Sequence, residues 1–209
     1  MLRWTRLRSP FRRRRPSDSG AHPHSSGDVP RAELADELRE ALELLDAGHD
    51  REAVQQLRRL ARTGHQTARF LLGACYFHQG DLTAAEPLLR GVADEGLADA
   101  MYLLGAICRG LHDDEDAARR WFRAGSARGD ASCMFEVGTC AAVDGDLSTA
   151  KFWWGRAAAA GSTDAMVNLG GLLLDEDPEG ARLWWSRAAG EGHPAAIQNL
   201  DANFGDGKG

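Results

Sequence analysis

Residues 150–170 read AKFWWGRAAAAGSTDAMVNLG. Ala150 stands one helical turn before Trp154, a run of alanines ends at Gly161, and Ala165 and Gly170 follow four and nine residues after that glycine. Working outward from Gly161, the same landmarks return at Gly64, Gly96, Gly129 and Gly192, with spacings of 32, 33, 32 and 31 residues along the series. Nine residues after each stand Gly73, Gly105, Gly138, Gly170 and, in the last case, Asp201. Four residues after each stand Ala68, Ala100, Cys133, Ala165 and Ala196. Upstream, Ala53, Ala85, Ala118, Ala150 and Ala181 precede the landmark by eleven residues, and Leu57, Leu89, Phe122, Trp154 and Trp185 precede it by seven. A fixed small residue one turn before a fixed large one lets two helices approach at one point and fill the gap at the next. Self-similarity at this period marks a stack of helix-pair units.

Each unit divides at breakers: Gly80-Asp81, His112-Asp113, Gly145-Asp146 and Asp177-Pro178. The first helices are expected over 67–78, 99–109, 132–142 and 164–174, and the second over 83–94, 116–127, 148–159 and 179–189. Asp or Ser before a helix caps free backbone N–H groups, and glycine after it suits a left-handed cap. Pro178 belongs in a first turn, where its missing donor costs nothing. A charged pair over 31–46 and 50–62 caps the front of the stack, a lone helix over 193–203 closes it, and 204–209 frays. The expected fold is all-α: about five antiparallel helix pairs and a final capping helix.

The stretches AARRWFRAGSARGDASCMFEVG (117–138), AKFWWGRAAAAGSTDAMVNLG (150–170) and ARLWWSRAAGEGHPAAIQNL (181–200) resemble the junctions of the Sel1-like repeat family, a branch of the tetratricopeptide-type helical repeats. Trp121, Trp153 and Trp184 match that family's tryptophan, Phe122, Trp154 and Trp185 its adjacent aromatic, and Ala157-Ala158 and Ala188-Ala189 its paired alanines. The interval from Gly73 to Ala85 is 12 residues, and its equivalents are 13, 12 and 11, which is the tetratricopeptide rather than the Sel1-like length. The resemblance covers residues 31–203. It implies a right-handed superhelical solenoid and an adaptor that binds peptides or proteins.

Composition narrows the function classes. With 209 residues, 43% of them hydrophobic, the chain can bury a core without metal or disulfides. Cys75, Cys108, Cys133 and Cys140 lack the spacing of a zinc site and read as buried helix residues. Arg3, Arg6, Arg8 and Arg12 to Arg15 precede the first acid, Asp18, so a net charge of −6 leaves −13 on the rest of the chain. An acidic body argues against nucleic-acid binding by the folded part. Residues 1–30 form a basic, Pro/Ser-rich arm that cannot build a core. Residues 1–16 suit contact with an anionic membrane or a targeting receptor. Arginine outnumbers lysine 23 to 2; this bias points to a GC-rich bacterial genome and a cytoplasmic protein, whereas a eukaryotic source would make the arm a mitochondrial presequence. No segment is apolar enough to cross a bilayer.

No phosphate loop, HExxH or nucleophile elbow occurs, so no catalytic residue, cofactor or metal is expected. The acidic runs 112–116 and 175–177 lack the calcium-loop pattern and read as helix-start charge. His65 and His193 share a place one residue after the landmark glycine and suit a turn. In each tryptophan pair, one ring is expected to face its own helix partner and the other the next unit, with Trp154 meeting Val167 there. What remains is a protein-interaction scaffold whose concave face is lined by first helices; the alternatives are a structural spacer, a membrane-tethered regulatory subunit that uses the basic arm and, last, a helical-repeat enzyme. Its candidate contacts are Phe70 and Phe77, Tyr102 and Arg109, Phe135, and Val167 and Leu174, with Arg109 expected to clamp a carboxylate of the partner.

Overall fold

The computed structural model describes residues 31–205, with side chains from residue 34 onward. Among them run eleven helices: α1 (Arg31–Asp46), α2 (Asp50–Arg62), α3 (Gln66–His78), α4 (Leu82–Asp94), α5 (Ala98–Leu111), α6 (Glu115–Ser126), α7 (Ala131–Val143), α8 (Leu147–Ala159), α9 (Thr163–Leu173), α10 (Pro178–Gly190) and α11 (Pro194–Phe204). Each expected helix is present, with its ends within two residues of the sequence reading. The fold is an all-α repeat of antiparallel helix pairs. The arm over 1–30 and the end of the tail over 206–209 lie outside the described residues.

Side-chain caps explain where helices begin. Asp114, Asp130, Asp146 and Asp177 accept from the backbone N–H three residues on, at 2.8, 2.7, 3.0 and 3.0 Å, and Ser162 does the same at 3.2 Å. Pro178 opens α10. Between units the chain reverses at Gly64, Gly96, Gly129, Gly161 and Gly192, all with φ between 81° and 97°. That is the left-handed region, where a Cβ is strained. The turn from α5 to α6 has no such glycine, and Asp113 takes it instead at φ 52°.

The chain divides into two compact units, Met1–Leu88 and Leu89–Gly209, with the boundary inside α4. In the first, α1 packs on α2 and α2 on α3 around Leu45, Leu57, Leu60, Phe70 and Leu71. Gln56 donates to the Glu37 carbonyl at 3.0 Å and Arg58 to the Tyr76 hydroxyl at 2.6 Å, tying α2 to its neighbours.

In the second unit, α5 packs on α6, α7 on α8 and α9 on α10, and α6·α7, α8·α9 and α10·α11 form the junctions. Within each pair an aromatic ring lies directly over a glycine of the first helix. A Cβ on Gly105 or Gly170 would overlap the ring of Phe122 or Trp185, and one on Gly138 would stand 2.6 Å from Trp154 Cδ1. Trp154 Nε1 donates to the Phe135 carbonyl at 3.2 Å, and Trp185 Nε1 to the Val167 carbonyl at 2.9 Å. Trp154 is therefore bonded within its own pair, where the sequence reading had assigned it to Val167 of the next. Small residues meet at the junctions: Gly125 lies against Cys133, and Ala157, Ala165, Ala188 and Ala196 are fully buried at matching positions.

The tail also differs from expectation. Phe204 belongs to α11, and its ring meets Trp185 edge-on at 6.2 Å. A ring that packs on core aromatic surface orders the turn that carries it.

Gly138→Ala should destabilise the protein by about 1–3 kcal/mol through overpacking against Trp154, despite alanine's better helix propensity. Gly171→Ala, two helices further on in α9 with open space at its Cβ, should be neutral or stabilising by up to about 1 kcal/mol. Urea unfolding of both variants measures the contrast; equal effects would show that the glycine–ring contact does not set the packing.

Candidate functional site

The proposed contact residues lie on first helices, and the structure separates them. Phe70 is 0% exposed and belongs to the core of the first unit, so it is not a contact surface. Phe77, in the same unit, is partly exposed and meets His78 edge-on at 5.8 Å; burial holds the His78 imidazole below its usual value. In the second unit, Tyr102, Phe135 and Val167 occupy one repeat position on α5, α7 and α9, and all three are partly exposed. Leu174 caps the end of α9 and leans on the same core as Phe135 and Val167.

Arg109 has a different role from the one its sequence position implied. Its guanidinium donates to both carboxylate oxygens of Glu115, at 2.8 and 3.1 Å, and to Glu136 at 2.7 Å. It also lies 5.0 Å over the Phe122 ring. With its donors used by two carboxylates, Arg109 joins α5, α6 and α7 and is not a free clamp for a ligand carboxylate. Arg119 extends the network, donating to Asp144 at 2.9 Å.

Electrostatics around Tyr102 point the same way. Its phenol is pushed up, first by burial and then by Glu136, Cys133, Asp164 and Asp130. The first helices of this unit carry Asp99, Glu136, Asp164 and Asp201 against one base, Arg109, whose charge is already met. Bases concentrate on the second helices, as Arg119, Arg120, Arg123, Lys151, Arg156 and Arg187. Base is thus concentrated on the second helices, whose own acids, Glu115, Asp116 and Glu179, stand in their first turns.

The other clusters have structural roles. His65 caps α3, accepting from the Ala68 N–H at 3.4 Å, and His193 Nε2 lies 3.0 Å from Asp164. Asp114 and Asp177 are helix caps, and Glu176 accepts from Lys151 at 2.9 Å. All four cysteines are buried; burial pushes the Cys75 thiol up to about 12 and raises Cys133 and Cys140 as well, the reverse of nucleophile activation. Among the described residues no group of three or more His, Cys, Asp or Glu could hold a metal, and no helix is long and apolar enough to cross a membrane.

Sequence reasoning assigned no role to Phe152 and Leu183, each 58% exposed at one repeat position on α8 and α10. The signal was present, since both lie nine residues before a landmark glycine, between buried positions at eleven and seven. Trp121, Trp153 and Trp184, one residue on, are partly exposed, while Trp154 and Trp185 are buried.

No protein-family model and no curated protein matches the sequence. Solved structures do match in fold. A Sel1 repeat protein from Oxalobacter formigenes superposes with a TM-score of 0.75 at 22% identity, over 86% of this chain and 82% of that one. A protective antigen present in uropathogenic Escherichia coli strains, displaying an SLR fold, gives 0.71 at 22% identity over 81% of this chain, which spans 40% of the antigen's length. A thermophilic TPR protein of Thermus thermophilus gives 0.59 at 14% identity, over 81% and 98%. The chain has the fold of the Sel1- and tetratricopeptide-type helical repeat proteins.

The Arg109 network makes a pH prediction. Hydrogen bonding to Arg109 holds the Glu115 carboxyl below its ordinary 4.5. A carboxyl depressed in the folded state contributes stability that is complete above its unfolded value and is lost as pH falls through the folded one. The stability lost in Arg109→Gln should therefore be greatest above pH 4.5 and shrink as pH drops below it; a loss independent of pH between 3 and 6 in urea melts would show that Glu115 does not draw on Arg109.

Proposed function

We propose that this protein is a protein-interaction scaffold, a Sel1-like member of its superfamily, that binds an extended partner segment along the first helices α5, α7 and α9, and that the segment is basic. The observation that supports the reading is the row of Tyr102, Phe135 and Val167 at one repeat position, partly exposed, with Asp130, Glu136 and Asp164 around Tyr102. Partly exposed rings supply apolar anchors, and the surrounding carboxylates reward arginine or lysine between them. An acidic segment would meet like charge at each of these groups, since Arg109 is neutralised by Glu115 and Glu136.

The test is to select binding peptides from a random library with the full-length protein and measure their affinity for variants checked by circular dichroism. Selected peptides should be rich in Arg and Lys, and Tyr102→Ala should weaken them by at least about 1 kcal/mol. Arg109→Ala should strengthen them, because it frees Glu136 and Glu115 to meet the ligand. Weaker binding in Arg109→Ala with unchanged helicity would restore the carboxylate-clamp reading, and unchanged affinity in both variants would remove this face as the site.

A further inference from the structure

The opposite set of helices carries a surface that the scaffold reading does not use. On α8, Ala150, Trp154, Ala157 and Ala158 face the core, and Ala181, Trp185 and Ala188 do so on α10. The side chains that point away include Phe152 and Leu183, both 58% exposed, and one turn later Arg156 and Arg187. On α6 the position of Phe152 and Leu183 holds Arg120, exposed, while that of Arg156 and Arg187 holds Ala124, with the exposed Arg123 one residue before it. Among the described residues Arg120, Arg156 and Arg187 form no ion pair, unlike Arg119, Lys151 and Arg182 beside them, while Arg123 stands near Asp144 and, after Arg119, helps to lower its carboxyl.

The stripe has a second regularity. Arg156 lies 5.1 Å over Trp153 and 5.9 Å over Phe152, and Arg187 lies 4.9 Å over Trp184. Each guanidinium therefore rests on partly exposed aromatic surface, with a bulky apolar side chain standing beside it. The acids of these helices, Glu115, Asp116 and Glu179, are confined to first turns, and Glu115 and Glu179 face Arg109 and Arg182. The middle and last turns present base and apolar surface without acid.

Repeated exposure of a Phe and a Leu at one position does nothing for the packing inside the pairs, and such surface marks an interaction site. Its pattern fits a flat anionic partner. Bulky apolar groups that stand proud of a helix row enter the acyl boundary, tryptophan sits at the interface, and arginine stems lie along apolar surface while their heads reach phosphate. An acidic peptide is disfavoured, since the concavity that Leu183 borders also holds Glu179 and Asp201.

We propose that the outward face of α6, α8 and α10 docks on an anionic phospholipid bilayer, with Phe152 and Leu183 inserted shallowly and Arg120, Arg156 and Arg187 set against headgroup phosphates. No described helix is long and apolar enough to cross a bilayer, so the contact is peripheral. It is independent of the first-helix face and of the partner bound there.

The test is co-sedimentation of the full-length protein with vesicles of phosphatidylcholine alone and of phosphatidylcholine containing about 30% phosphatidylglycerol, at low and high salt. Binding is expected to the anionic vesicles only and to weaken with salt. The doubles Phe152→Ser with Leu183→Ser, and Arg156→Gln with Arg187→Gln, alter exposed positions and should keep the wild-type circular dichroism. Each should lower the vesicle partition coefficient by about fivefold or more. The Ser double leaves every charge in place, including the arginines of residues 1–16, so its loss reports this face and not general attraction. Brominated lipid should quench tryptophan fluorescence in the wild type and less in both doubles. Wild-type binding by both doubles would assign any vesicle contact to the N-terminal arm and overturn the proposal. So would binding of a polyglutamate peptide, but not of vesicles, through these same residues.

Discussion

A ring seated where a Cβ is missing organises the second unit. Phe122 lies on Gly105, Trp154 on Gly138 and Trp185 on Gly170, and for the two tryptophans the indole N–H is also bonded to a first-helix carbonyl. The contact is short because glycine lets the second helix approach its partner, and directional because the N–H has one acceptor to reach. Together these fix how far apart the paired helices lie and how the second is rotated about its own axis. Rotation then determines the other positions. With position seven before the landmark glycine turned inward, position eight lies about 100° round and is only partly covered, and position nine points away. The partial exposure of Trp121, Trp153 and Trp184 and the full display of Phe152 and Leu183 follow from that one constraint.

Helix existence, pairing and boundaries were legible from the sequence because they rest on local chemistry repeated five times: aspartate caps, left-handed glycines and the small–large alternation. Residue-level exposure was not legible to the same degree. Phe70 and Phe135 occupy the same repeat position, yet Phe70 is buried and Phe135 is not, since burial depends on what neighbouring helices place over the ring. Arg109 shows the limit more sharply. Its partners Glu115 and Glu136 lie six and 27 residues away, and nothing in the periodicity of α5 says that both carboxylates will converge on it. An arginine on a helix face looks like a ligand clamp until the fold shows its charge already met by two carboxylates.

The same constraint read in reverse accounts for α11. It carries Asp201, exposed, where the other first helices of the unit carry the glycine that receives a ring. A carboxylate at that position cannot seat an indole without losing its hydration, so α11 does not offer the seat that α5, α7 and α9 offer. The aromatic contact there runs the other way, with Phe204 of α11 turned back onto Trp185.

Charge segregation completes the picture, and it too depends on the ring–glycine contact. Because each second helix is locked in one rotation, its arginines at positions five and nine before the landmark point away from the first helices. Their acids, clustered at the amino ends, stay near the helix starts, where the backbone dipole favours them. First helices keep Asp99, Glu136 and Asp164 on their side, with Arg109 held between two carboxylates. Opposite charges from neighbouring elements meet at Arg109 with Glu115, Arg119 with Asp144 and Lys151 with Glu176, and Arg120, Arg156 and Arg187 are left facing outward. Fixed as they are, the first helices carry a net negative charge and the second a net positive one, with apolar groups outermost on α8 and α10, so the two sets prefer ligands of opposite sign.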